Sequence, residues 1–142
     1  CVLVALSIVI LGLYDCLKIK KTTLLLEEII DFICLFKNEM NYRRASYPDL
    51  IKLGEKQGYT YISFKNNKPS VDNLACALTR EFNQFAEQIG TTDDEGQITL
   101  CNEYKEKFSH LLKVQRSKEE SKIQVNLSLS LLGAMSVIII FI

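Results

Sequence analysis

Apolar residues are distributed along the chain in two ways: without interruption at its ends, and at helical spacing between them. Cys1 to Tyr14 (CVLVALSIVILGLY) and Ile123 to Ile142 carry no charged side chain. Between them, Leu25, Ile29, Phe32, Ile33, Phe36 and Met40 recur every three or four residues, with Glu28, Asp31 and Glu39 among the intervening positions. That spacing predicts an amphipathic helix continuous with the first apolar segment. Arg43-Arg44-Ala45-Ser46-Tyr47-Pro48 ends it. Ser46 is then placed to cap a short second helix, with Pro48 in its first turn. Leu50, Ile51 and Leu53 supply that helix with an apolar side, and Gly54 and Gly58 close it.

The brief alternation at Tyr59, Tyr61 and Ser63 gives way to Asn66-Asn67-Lys68-Pro69, which reads as a loop. Ser70 is expected to cap the next helix, whose stripe is Val71, Leu74, Leu78, Phe82, Phe85 and Ile89, with Gly90 in the position a helix C-terminus prefers for glycine. Thr92 to Glu95 matches a capping box, the Thr hydroxyl on the third helical amide and the Glu carboxylate returning to the cap. A final helix runs through Ile98, Cys101, Tyr104, Phe108, Leu111 and Leu112. No breaker follows between Gln97 and Ser128, so it should enter the second apolar segment directly.

Charge placement changes this picture from a bundle to an anchored bundle. The 142 residues have formal net charge zero, with 17 basic and 17 acidic side chains. Every Lys and Arg lies between Lys18 and Lys122, and so does every Asp and Glu except Asp15. A polar block between two uncharged ends is not the pattern of a soluble globule, nor of a disordered tail, nor of a nucleic-acid binder with a basic excess. Residues 123–142 have the length, roughly 20 residues, that a hydrocarbon core of about 30 Å requires. Residues 1–17 read as an N-terminally truncated transmembrane helix, since the apolar run is short and begins at Cys. No small-residue cleavage site follows that run, against a signal peptide. A mature lipoprotein also begins at Cys, but Val2-Leu3-Val4-Ala5 is not the polar start it usually has.

Lys18, Lys20 and Lys21 follow the first segment, and Arg116, Lys118 and Lys122 precede the second. The positive-inside rule therefore puts residues 18–122 in the cytoplasm and both termini outside. The same lysines can hold anionic headgroups. The expected architecture is all-α: a small cytoplasmic helical bundle over residues 18–122, whose first and last helices continue into two transmembrane spans.

Signals for chemistry are sparse. The chain has no glycine-rich loop ending in Lys-Ser/Thr to cradle a nucleotide's phosphates. The acidic turn between Gly90 and Gly96 lacks the alternating ligands of a calcium loop, which favours helix capping over metal binding. Five cysteines (Cys1, Cys16, Cys34, Cys76 and Cys101) form no C-x-x-C pair, and those in the middle segment should stay reduced and pack as small apolar groups. No catalytic, metal or cofactor site is expected. A rival reading makes the chain an enzyme at the bilayer surface, using the acids at 93–95 with His110. Arg43-Arg44 suits an acidic partner surface or a solvated turn. Ser130 and Ala134 form a small-x-x-x-small pair that would let another span, including a second copy, approach closely.

Ile89-Gly90-Thr91-Thr92-Asp93-Asp94-Glu95-Gly96-Gln97 resembles the Leu-Gly-Thr/Ser-Asp-x-x-Gly-Gln turn of the stage III sporulation protein AB family of endospore-forming bacteria. Glu39, Tyr42 and Ser46-Tyr47-Pro48-Asp49-Leu50 are similar to that family's Glu-x-x-Tyr and Pro-Leu-Pro-Glu-Ala. Only Pro48 of the paired prolines is present, Asp49 stands where glutamate is usual, and there is no Trp. The resemblance implies a non-enzymatic subunit of the channel complex between mother cell and forespore, in the mother-cell membrane facing the forespore. It also implies a helical domain similar to type II secretion F domains, which meet a secretion-type ATPase; here that partner would be the AA-type ATPase, with other proteins of the same complex. Two continuous helices suit such coupling, because a helix carries displacement that a flexible linker would absorb. Asp93, Asp94, Glu95 and Gln97, with Arg43 and Arg44, are the candidate partner-binding residues. A general secretion or pilus platform protein is the further alternative, but those usually carry two helical domains and a third span.

Overall fold

The computed structural model describes residues 2–71 and 76–141, with the side chains toward the ends of the first and last helices described only in part. Four helices and two short strands follow one another: α1 (Val2–Arg43), α2 (Tyr47–Gln57), β1 (Ile62–Lys65), β2 (Lys68–Val71), α3 (Cys76–Gln88) and α4 (Asp94–Phe141). Two compact units result, Leu24–Leu112 and, separately, Cys1–Thr23 with Lys113–Ile142. The stripe positions read from the sequence are buried in α1 and, from Leu78 onward, in α3, whereas Val71 lies in β2 and Leu111 of α4 is exposed. Leu25, Ile29, Phe32, Ile33, Phe36 and Met40 of α1 are all buried, joined by Leu50 and Ile51 of α2, by Phe82, Phe85 and Ile89 at the end of α3, and by Cys101 and Phe108 of α4. Leu74, Cys1, and the side chains of Cys16, Cys76, Ser130 and Ala134 lie outside the described residues.

The molecule is mostly helical, but it is not all-α. Residues 62–71 form an antiparallel hairpin with Ile62 opposite Val71 and Lys65 opposite Lys68. Asn66 and Asn67 make the two-residue turn, with φ of 53° and 58°. Two successive left-handed residues are what a type I′ hairpin turn requires, and Asn tolerates that conformation better than other side chains. Once the turn is set, the alternation is regular. Ile62, Phe64, Pro69 and Val71 form the apolar face, and Ser63, Lys65, Lys68 and Ser70 the polar one.

Pro69 signals a loop in the sequence, but here it is harmless. In a two-residue hairpin the pair closing the turn is hydrogen-bonded, so the next pair, Phe64–Pro69, is not, and proline's missing N–H leaves no ladder bond unmade. Ser70 accordingly lies in β2 and is not the cap of a helix; its hydroxyl is 3.0 Å from that of Ser63 across the strands. The next helix begins at Cys76.

An isolated two-stranded hairpin is marginal in water, so this one must be held by its neighbours. The Glu28 carboxylate on α1 accepts from the backbone N–H groups of Thr60 (2.9 Å) and Tyr61 (2.8 Å), pinning the entry to β1. On the other side, Gly54 lies inside α2 and is buried, so it does not close that helix; Gly58, at φ 71°, is the C-cap. The absence of a side chain at Gly54 lets Phe64 and Phe32 come close: a Cβ there would lie 2.8 Å from Phe64 Cζ and 3.1 Å from Phe32 Cε2. At the start of α2, the Ser46 hydroxyl makes its 2.6 Å hydrogen bond to Asp49 Oδ2 and none to a backbone amide.

Gly54→Ala tests this packing. Alanine improves helix propensity by about 1 kcal/mol, yet overpacking typically costs about 1–3 kcal/mol. A net loss of stability in chemical denaturation is therefore expected, and a gain would show that the hairpin does not press on α2 as described.

Candidate functional site

The turn between α3 and α4 is built from three backbone devices. Gly90 takes φ +84°, and the ring of Tyr47 lies over it, so that an added Cβ would stand 3.1 Å from Tyr47 Cδ2. Thr91 closes the end of α3 by donating both its N–H (3.3 Å) and its hydroxyl (2.5 Å) to the Gln88 carbonyl. Asp93 then starts α4. Its Oδ1 accepts from the Gly96 N–H at 3.1 Å, and its carbonyl accepts from the Gln97 N–H at 2.9 Å. The cap is therefore Asp93, one residue later than the Thr92 capping box expected from the sequence. Gly96 makes room for it, since a Cβ there would fall 2.7 Å from Asp93 Oδ1.

These bonds divide the four acidic-turn candidates. Asp93 is occupied as the cap, and the Gln97 side-chain amide donates to the Thr92 carbonyl at 2.8 Å. Asp94 and Glu95 are exposed, and among the described residues their carboxylates take no hydrogen bond or ion pair. Both lie in the first turn of α4, where the helix dipole stabilises negative charge.

Arg43 and Arg44 end α1. Arg43 pairs with Glu39 one helical turn back at 3.4 Å, with the arginine well exposed, a contact of at most about 1 kcal/mol. Arg44 has φ 45°, the left-handed conformation that terminates the helix. Tyr47 connects the two candidate regions: its ring stacks edge-on against Phe36 of α1 (centroids 6.0 Å apart) and covers Gly90. Tyr47 thus packs the start of α2 against both α1 and the glycine that follows α3. Burial raises that tyrosine's pKa above its ordinary value. Sequence reasoning missed Tyr47; the only local signal was an aromatic residue between the predicted cap and Pro48.

Other candidates stay apart. His110 is exposed on α4, fifteen residues beyond Glu95 on the same helix, a rise of about 22 Å. The acids and the histidine of the surface-enzyme reading are therefore not brought together. Burial pushes the Cys101 thiol up to about 12, which leaves it protonated and inert, whereas Cys34 is only partly buried. Among the described residues, no group of three or more His, Cys, Asp or Glu is arranged to hold a metal ion. Thr79 Oγ1 and Asn83 Oδ1, one turn apart on α3, are buried without a hydrogen-bond partner among the described residues.

The second unit holds the basic residues at the edges of the apolar ends. Lys18, Lys20, Lys21, Arg116, Lys118 and Lys122 are all exposed. Thr23 is buried between α1 and α4, and the single proton of its hydroxyl is shared between the Ile19 carbonyl at 3.2 Å and Glu119 Oε2 at 3.1 Å. Toward the chain ends, Leu13, Tyr14, Leu17, Leu129 and Leu132 are each about 60% exposed or more. Among the described residues, no helix is long and apolar enough to cross a membrane.

No protein-family model, curated protein or solved structure matches the chain.

Replacing the Asp93 carboxylate separates the two capping assignments. Asp93→Ala should cost about 1 kcal/mol of stability, while Thr92→Ala should change little. The reverse ranking in urea denaturation would return the cap to Thr92.

Proposed function

We propose that this chain is a non-enzymatic membrane platform subunit of the stage III sporulation AB type. In this reading the ends of α1 and α4 lie in the mother-cell membrane facing the forespore, and the helical unit in the cytoplasm meets a secretion-type ATPase. The observation that carries the reading is the change of exposed surface, from lysines to large apolar side chains, toward the two chain ends. Exposed Lys18, Lys20, Lys21, Lys118 and Lys122 give way to exposed Leu13, Tyr14, Leu17, Leu129 and Leu132. Exposed apolar side chains of that kind suit a membrane or partner contact, and the lysines beside them suit anionic headgroups. The uncharged runs 1–14 and 123–142 on which the spans rest fall partly outside the described side chains.

For the ATPase contact, Asp94 and Glu95 are the acids left exposed once Asp93 and Gln97 are occupied within the turn. Arg43 and Arg44, exposed where α1 ends, are the basic candidates for the same partner.

Two measurements test the reading. The full chain produced in a bacterium should remain in the membrane pellet after alkaline carbonate extraction; its release would remove the anchor. Asp94→Lys should lower capture of the AA-type ATPase by about tenfold, the loss of one charged contact of about 1.5 kcal/mol, with circular dichroism unchanged. Undiminished capture would move the contact away from this turn.

A further inference from the structure

We infer that the cleft formed by residues 13–20 of α1 and the second half of α4 binds one anionic phospholipid, its phosphate between Lys20 and Lys122 and its acyl chain along Leu13, Leu17 and Ile123. The inference rests on the membrane reading above and gives it a specific ligand.

The cleft has a volume of about 220 Å³. At roughly 30 Å³ per water, that is room for about seven waters, or for a headgroup with its first methylenes, and not for a whole lipid. The rest of the chain would lie on exposed apolar side chains outside it. The lining is ordered along the helix axis. Leu13, Leu17 and Lys20 are spaced by four and three residues, so they form one stripe of α1 in which the backbone of Lys20 lies about 4.5 Å along the axis from that of Leu17 and about 10 Å from that of Leu13. On α4 the same change occurs between Lys122 and Ile123. The site therefore has a cationic end and an alkyl end, the polarity of a phospholipid.

A neighbouring cleft of about 310 Å³ shares Lys122 and adds Lys118, Ser117 and Ser121. Glu119 also lines the first cleft and opposes an anion there, but its Oε2 already accepts from Thr23, and three lysines face the two clefts against one carboxylate. That balance selects an anionic over a zwitterionic lipid. A free inorganic anion would use the lysines and leave Leu13, Leu17 and Ile123 without a role.

The test uses the full chain in vesicles of phosphatidylcholine mixed with an equal part of phosphatidylglycerol, each lipid spin-labelled in turn on its acyl chain. Labelled phosphatidylglycerol should be immobilised in preference to labelled phosphatidylcholine. Lys20→Gln and Lys122→Gln should each lower that preference roughly fivefold, while Lys52→Gln and Lys56→Gln on α2 leave it intact. Leu17→Asn should weaken retention of the acyl label without changing the charge. Equal immobilisation of the two lipids, an unchanged preference in the lysine variants, or displacement of the label by inorganic phosphate would overturn the assignment. Flotation of the same samples separates the two failures: a chain that floats but shows no preference loses only this site. A chain that does not float loses both the site and the anchor.

Discussion

The ring of Phe32 is fully buried where the elements of the unit spanning Leu24–Leu112 converge. It lies 5.9 Å from Phe36 on its own helix, 6.0 Å from Tyr59 before the hairpin, 5.9 Å from Phe64 on β1 and 6.1 Å from Phe82 on α3. Gly54 brings the backbone of α2 against the same ring. Each such aromatic pair adds about 0.5–1.5 kcal/mol beyond the area it buries. Removing a buried phenylalanine typically costs about 3–5 kcal/mol, a large part of the roughly 5–15 kcal/mol by which a domain is stable. The final helix joins through a second ring pair, Phe85 with Tyr104 at 5.1 Å, so the aromatic chain extends from α1 to α4.

Polar groups refine what the rings assemble. Glu28 is the clearest case, because a carboxylate that accepts two backbone N–H bonds both satisfies those amides and holds the strand entry against α1. Lys107 of α4 forms an ion pair with Glu81 of α3, and the bonded carboxylate raises the lysine's pKa. The ammonium is also 5.8 Å from the Tyr104 ring centroid. Such an exposed contact aligns α3 with α4 more than it stabilises them.

The proposed function rests on exposed residues. In the acidic turn, capping consumes Asp93 and leaves Asp94 and Glu95 at the exposed, dipole-stabilised start of α4. In the other unit, the buried Thr23–Glu119 contact ties α1 to α4 beside the lysines, so that cationic and alkyl groups share one cleft. Both arrangements come from long helices whose exposed composition changes along their length.

The chain alone determined the helices and their buried stripes, because burial of one helical face imposes a period that six or seven apolar residues of α1 display directly. It also determined the glycine-bounded turn and the separation of charged middle from uncharged ends. The exact cap was left one residue astray, since Thr92 and Asp93 are both good caps and only the folded turn, in which Asp93 Oδ1 accepts from the Gly96 N–H, distinguishes them. The hairpin, and with it the departure from an all-helical fold, was decided by tertiary structure. Four-residue strands with Pro69 and a paired Asn turn have too little periodicity to be distinguished from a loop. They become strands because Phe32, Gly54 and Glu28, distant in sequence, supply the apolar surface and the hydrogen bonds that a lone hairpin lacks.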